Sequence, residues 1–153
     1  MSSAALSNRY TPKEYLDLER KAVHKSEYLN GFITAMSGAS REHNVIAVNI
    51  TVELGTQLKD RECEVYSSDM RVLVNSTGLY TYPDLSVVCH QPQFLDKEVD
   101  TLLNPMVVEE VLSPSTESYN RGAKFAHYRR IDSLLDYVMI SQEEMRVEHF
   151  TKQ

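Results

Sequence analysis

With 153 residues, 42% hydrophobic and 25% charged, the chain is sized for one domain around one core. This composition excludes disorder on a domain scale, and no apolar run approaches the ~18 residues that would suggest a membrane span. The net charge of -6 argues against a protein that coats nucleic acid non-specifically, because phosphate contacts draw on Lys and Arg. It leaves room for a local basic groove and suits a carboxylate-rich metal site equally well. Cys63 and Cys89 lie far apart with no C-x-x-C spacing, so neither a zinc site nor a disulfide framework is indicated, and Cys89 reads as a small buried residue. The start, Met1 to Ser7, has no basic n-region and no long apolar h-region, so the cytoplasm is the expected location.

Residues 1–10 read as a flexible N-terminal tail and residues 11–153 as a single domain. Thr11-Pro12-Lys13-Glu14 is a helix start: Thr11 caps, Pro12 suits the first helical position, and an acid falls in the first turn. The helix is expected to end near Val23-His24. Glu27-Tyr28-Leu29-Asn30-Gly31-Phe32-Ile33-Thr34-Ala35-Met36 predicts a hairpin around an Asn-Gly turn. Residues 41–59 carry Val45, Val48, Val52 and Ile46, Ile50, Leu54, Leu58 at three- and four-residue spacing, which predicts an amphipathic helix with a wide apolar face. His43 falls in its first turn, either as a surface or satisfied structural residue or as one placed near a bound phosphate.

Three strand-like pieces follow: 64–66, a half-exposed strand at 70–74, and Tyr82 to Cys89, whose latter part is apolar enough to be covered on both faces. Residues 90–103 form a polar connection. Met106 to Leu112 is the next central strand, Asn120 is placed to cap a helix running to about Ile131, and strands at 135–140 and 146–150 end the chain. The order predicts an α/β fold, a central mixed sheet flanked by helices.

Two acids and a lysine stand on elements that should be buried, where charge is costly unless paired or bound to a metal. Asp84 heads the 82–89 strand, Glu110 lies in the Met106–Leu112 strand, and Lys124 lies in the following helix. If the two strands are neighbours, Asp84 and Glu110 form the carboxylate pair that a hard cation such as Mg²⁺ uses together with phosphate oxygens. Such an ion activates water and stabilises the displacement at phosphorus, and Lys124 adds a cation beside the scissile phosphate. Glu109 points to the opposite sheet face from Glu110, because side chains alternate along a strand. The structural alternative makes Asp84 a turn former, Glu110 the partner of an Arg, and Lys124 a solvated helix residue.

Tyr82-Pro83-Asp84-Leu85, Asn104-Pro105 with Val108-Glu109-Glu110-Val111-Leu112-Ser113-Pro114-Ser115-Thr116, and Arg121-Gly122-Ala123-Lys124-Phe125-Ala126-His127-Tyr128 carry a further signal. Together they resemble the bacterial restriction-endonuclease family long catalogued as a domain of unknown function. That family belongs to the PD-(D/E)xK, or restriction-endonuclease-like, superfamily. The likeness extends to Glu27-Tyr28-Leu29-Asn30-Gly31, His43-Asn44 and Ser68-Asp69-Met70-Arg71, and so covers nearly the whole chain. It implies a restriction-endonuclease-like fold and a Mg²⁺- or Mn²⁺-dependent endonuclease acting on DNA as a homodimer. In that scheme Asp84 and Glu110 are catalytic and hold the metal. Lys124 is the catalytic lysine, migrated to the helix from the position of Leu112, and Glu27, His43, Asp69 and Tyr128 are accessory. Glu109 stands where the family has an apolar residue. The chain also stops soon after Phe150, where relatives run on, so it reads as a C-terminally shortened member. The alternative function is a catalytically inactive nucleic-acid- or protein-binding module on the same fold. Acyl chemistry at Ser113 or Ser115 lacks a G-x-S-x-G turn, with His127 the only nearby base.

Overall fold

The computed structural model describes residues 9–153. Residues 1–8, most of the expected tail, lie outside the described residues. Tyr10 belongs to the packed structure: its N–H donates to the Gly31 carbonyl at 2.9 Å, and its own carbonyl accepts from the Tyr28 hydroxyl at 2.7 Å.

α1 (Pro12–Glu19) starts with a reciprocal cap: Thr11 Oγ1 accepts from the Glu14 N–H at 3.1 Å, and the Glu14 carboxylate accepts from the Thr11 N–H at 3.3 Å. It stops short of the expected end at Val23-His24. Beyond Leu16 no apolar side chain of this segment is buried, and Val23 is 92% exposed. The long polar side chains there serve tertiary contacts instead. Glu19 accepts from the Ser26 N–H and the Tyr82 hydroxyl, while Arg20 spans Asp96 and Asp100.

β1 (Ser26–Leu29) and β2 (Phe32–Ala35) form the expected hairpin, with φ of 50° at Asn30 and 91° at Gly31. Positive φ at both central residues is what a type I′ turn requires. The other strands are β3 (Cys63–Tyr66), β4 (Arg71–Val74), β5 (Leu79–Thr81), β6 (Leu85–Cys89), β7 (Thr101–Leu102), β8 (Val107–Leu112), β9 (Asp136–Ser141) and β10 (Val147–Thr151). They build two five-stranded mixed sheets rather than one central sheet. One has the order β2-β1-β5-β4-β7 and the other β10-β9-β8-β6-β3. The run from Tyr82 to Cys89 is therefore not a single strand. Pro83 has no N–H to give a ladder, and Tyr82-Pro83-Asp84 carries the chain from β5 in the first sheet to β6 in the second.

The main core lies between the sheets, where Val72, Val74, Leu79 and Leu102 meet Val88, Val108, Leu112, Tyr137 and Met139. On the outer face of the first sheet, Leu73 and Tyr80 pack with Tyr15, Leu16 and Tyr28. β4 is thus buried on both faces, not half-exposed. Its Arg71 is only 4% exposed, and it pairs with Asp100 at 2.9 Å and donates to the Tyr82 hydroxyl at 2.8 Å.

Cys63 and Cys89 also depart from expectation. They are directly opposed in the antiparallel β3–β6 ladder and are joined as a disulfide. The 26-residue separation hides an adjacency that only the strand register creates.

α2 (Arg41–Gln57) matches the predicted helix and is capped by Ser40, whose hydroxyl accepts from the His43 N–H at 3.1 Å. Its apolar surface is only partly used. Ile46, Ile50 and Leu54 are half-buried, whereas Val45, Val48 and Val52 are exposed.

The helix expected from Asn120 to Ile131 is two short ones, α3 (Glu117–Arg121) and α4 (Ala123–Tyr128), broken at Gly122. Asn120 does not cap; it is buried inside α3, and its carbonyl accepts from the Tyr137 hydroxyl at 3.0 Å. This helical pair forms the crossover between β8 and β9, which run parallel.

Candidate active site

Strand register brings the two acids together. β6 and β8 are antiparallel neighbours with Leu85 opposite Glu109, which sets Asp84 against Glu110 one step on. Glu110 faces the inter-sheet side with Val108 and Leu112, and Glu109 faces the other side, as the alternation requires. Asp84 Oδ2 accepts from the Val111 N–H at 2.7 Å, and Oδ1 lies 3.1 Å from His43 Nε2. Glu110 Oε1 accepts from the Tyr128 hydroxyl at 2.8 Å and lies 2.9 Å from Lys124 Nζ. The side chains of Glu110 and Lys124 are each 4% exposed.

Glu27 completes the cluster from β1. Its Oε1 lies 3.5 Å from Lys124 Nζ and accepts from the Thr81 hydroxyl at 2.6 Å, and its Oε2 accepts from Tyr119 at 2.9 Å. The Lys124 ammonium sits 5.8 Å from the Tyr119 ring centre and 5.7 Å from that of Tyr128. On one continuous helix, side chains five residues apart would diverge. The break at Gly122 lets Tyr119 of α3 and Lys124 of α4 meet.

Glu27, His43, Asp84, Glu110, Tyr119 and Lys124 line a groove of about 610 Å³ that also takes in Lys25, Ser40, Ser68, Ser113 and Gln142. Asp69 is not part of the cluster; its side chain is 88% exposed and pairs with Lys25 at 3.3 Å. His127 is bound to Thr77 at 2.8 Å, while Ser113 hydrogen-bonds to Ser115 and Thr116, so no Ser–His pair forms. Lys25, Tyr119 and Thr81 carry no motif and were reachable only through the fold.

Burial pushes the Glu110 carboxyl up to about 7; the adjacent Asp84 charge adds to this and Lys124 opposes it. Burial also acts against ionised Asp84, but the hydrogen bond and charge of His43 and the Val111 N–H hold its pKa below the ordinary carboxylate value. Burial disfavours the Lys124 cation, yet Glu110 and Glu27 outweigh it and raise its pKa. The hydrogen bond to Asp84 raises His43, against the effect of burial. His43 Nδ1 is buried with no hydrogen-bond partner among the described residues. On the opposite face, Glu109 is 7% exposed and burial alone lifts its carboxyl to about 7. Among the described residues, no three or more His, Cys, Asp or Glu side chains are preassembled around an ion position.

This mixed α/β architecture is a restriction-endonuclease-like fold. A crystal structure from Anabaena variabilis, described as "a putative nuclease belonging to DUF820", shares it with a TM-score of 0.70 over 94% of this chain and 85% of that one, at 18% identity. The chain belongs to the Uma2 family, described as "Putative restriction endonuclease", whose pattern matches residues 12–153. Two proteins of Synechocystis are similar along nearly the whole chain. "Uncharacterized protein sll1609" is 37% identical over 152 residues, covering 86% of its length, and "Uncharacterized protein slr1290" is 36% identical over 151 residues, covering 78%. No helix among the described residues is long and apolar enough to cross a membrane.

Proposed function

We propose that the chain is a Mg²⁺- or Mn²⁺-dependent DNA endonuclease. Asp84 and Glu110 hold the metal, and Lys124, shifted onto the helix after the second acid, is the catalytic lysine. The carrying observation is a lysine buried to 4% exposure against Glu110, with Asp84 alongside and an open groove in front. A purely structural ion pair in such a place has no stability advantage over apolar residues of similar volume. Two carboxylates also form the donor set that hard divalent ions take alongside phosphate oxygens.

A bound divalent ion supplies Lewis-acid charge at the phosphate and a water of lowered pKa. Asp84 is kept ionised by the Val111 N–H and His43, so it presents a charged oxygen without first losing a proton. Tyr128 and Lys124 fix the carboxylate of Glu110 from the inner side. The Lys124 ammonium is steadied by Glu27 and the Tyr119 ring, and it stabilises negative charge gathering on the phosphate during displacement. Lys25, on the groove wall, is suited to a neighbouring phosphate.

Purified protein with Mn²⁺ or Mg²⁺ is expected to nick supercoiled plasmid, and EDTA, Glu110→Ala or Lys124→Ala to stop it. Equal cutting by the Glu110→Ala protein would sink the site assignment. Retarded but uncut plasmid at every metal concentration would favour the binding-module alternative. The expected compartment is the cytoplasm, and the Cys63–Cys89 disulfide across the β3–β6 ladder is a feature more usual outside it.

We also propose a homodimer, supported by the exposed row Val45, Val48 and Val52 on α2, since contiguous apolar surface on a folded chain marks contact sites. Sedimentation should give twice the chain mass, and Val48→Glu should shift it toward the single chain. Wild-type protein sedimenting as one chain at micromolar concentration would contradict this.

A further inference from the structure

We propose that His43 is itself a donor to the divalent ion, through Nε2, and that this imidazole makes the site select Mn²⁺ over Mg²⁺. The inference rests on the metal-dependent reading of the groove. It adds a ligand and a metal preference that the acid pair alone does not give.

The position of His43 is set by the start of α2. The Ser40 hydroxyl accepts the His43 N–H and fixes the first turn, so the ring enters the groove with its side chain 17% exposed. It meets one particular oxygen of Asp84. Oδ2 is committed to the Val111 N–H at 2.7 Å, and Oδ1 lies 3.1 Å from His43 Nε2. Adjacent donors around an octahedral ion with bonds of 2.0–2.1 Å stand about 3 Å apart. The Asp84 and His43 atoms already have that separation.

The partners of Glu110 are consistent with this. Its Oε1 is engaged by both Lys124 and Tyr128, and among the described residues no cluster of three such donors is preassembled. The other nitrogen of His43, Nδ1, is buried with no partner among the described residues, so the contact to Asp84 is what orients the ring.

The metal preference follows from donor chemistry. Mg²⁺ demands oxygen ligands and dehydrates reluctantly, whereas Mn²⁺, which also favours carboxylate and water, is a first-row transition ion and takes a nitrogen donor more readily than Mg²⁺ does. A His–Asp pair with Glu110 behind it is therefore better matched to Mn²⁺ than to Mg²⁺.

Pulsed EPR of Mn²⁺ bound to the wild-type protein tests this directly. Strong ¹⁴N modulation from a coordinated imidazole is expected, and it should vanish in His43→Gln, which can still hydrogen-bond Asp84. Titration followed by the free-Mn²⁺ signal should show wild-type binding of Mn²⁺ about tenfold or more tighter than Mg²⁺, with most of that margin lost in His43→Gln. Mn²⁺ bound without nitrogen modulation, or modulation that persists in His43→Gln, overturns the inference and leaves the carboxylate nuclease site standing. Failure of the wild-type protein to bind Mn²⁺ overturns both. Because the nitrogen signal is read on the wild type, the result does not depend on the variant folding.

Discussion

Lys124→Met is expected to reduce plasmid cleavage by ~10²–10³-fold, the range seen when one preorganised charge-stabilising group is removed. The same change should destabilise the fold by about 3–5 kcal/mol at pH 8, because Glu110 is left buried beside Asp84 without its cation. The loss should shrink at pH 6. Lys124 is what pulls the Glu110 pKa down against burial and Asp84, so without it the carboxyl rises further above its unfolded value. A carboxyl whose folded pKa is raised binds its proton more tightly in the folded state. Stability is then greatest at low pH and falls as pH climbs through the folded pKa. Urea denaturation at pH 6 and 8 measures this directly. Lys124→Met combined with Glu110→Gln should recover most of the stability while cleavage does not return. Lys124→Met protein as stable as wild type at both pH values would mean that the pair carries no buried charge.

Glu109→Gln should stabilise the protein at pH 8 by roughly 1–3 kcal/mol and leave cleavage unchanged, since Glu109 faces away from the groove. Burial alone raises its carboxyl to about 7, from an ordinary value of 4.5, with no cation to offset it. Between those values the unfolded chain is ionised while the folded chain keeps its proton, so the wild type loses stability as pH rises. Above the folded pKa it carries the full cost. The amide has no proton to lose, and the gain should therefore disappear near pH 4.5. Thermal melts of both proteins across pH 4.5–8 would show the two curves diverging upward in pH; parallel curves would refute the assignment.

The parts legible in the sequence are those decided by neighbouring residues. Thr11, Pro12 and Glu14 give the cap, Asn30-Gly31 gives the hairpin, and the apolar run of Val107 to Leu112 gives a buried strand. The alternation along that strand also separates Glu110 from Glu109. What escaped was decided by register and by distant partners. Cys63 and Cys89 become neighbours only because β3 and β6 pair antiparallel in one register. Arg71 looks like a solvent residue until Asp100 and Tyr82 are folded onto it. Pro83 sits in a run that reads as one strand, yet it marks the passage between two sheets. The segment from Asn120 to Ile131 reads as one helix, and only the fold shows it broken at Gly122. That break is what brings Tyr119 to Lys124. Asp69 lies within a stretch that carries the family likeness, Ser68-Asp69-Met70-Arg71, but its side chain turns outward to Lys25.

The central claim is that Asp84 and Glu110 share a divalent ion beside Lys124. Anomalous diffraction from a crystal soaked in Mn²⁺ tests it most directly. An anomalous peak is predicted within bonding distance of Asp84 Oδ1 and a Glu110 oxygen, with the Lys124 ammonium facing it. A groove without a peak at saturating Mn²⁺, with Asp84 still hydrogen-bonded to His43 and Glu110 still closed on Lys124, would contradict the account.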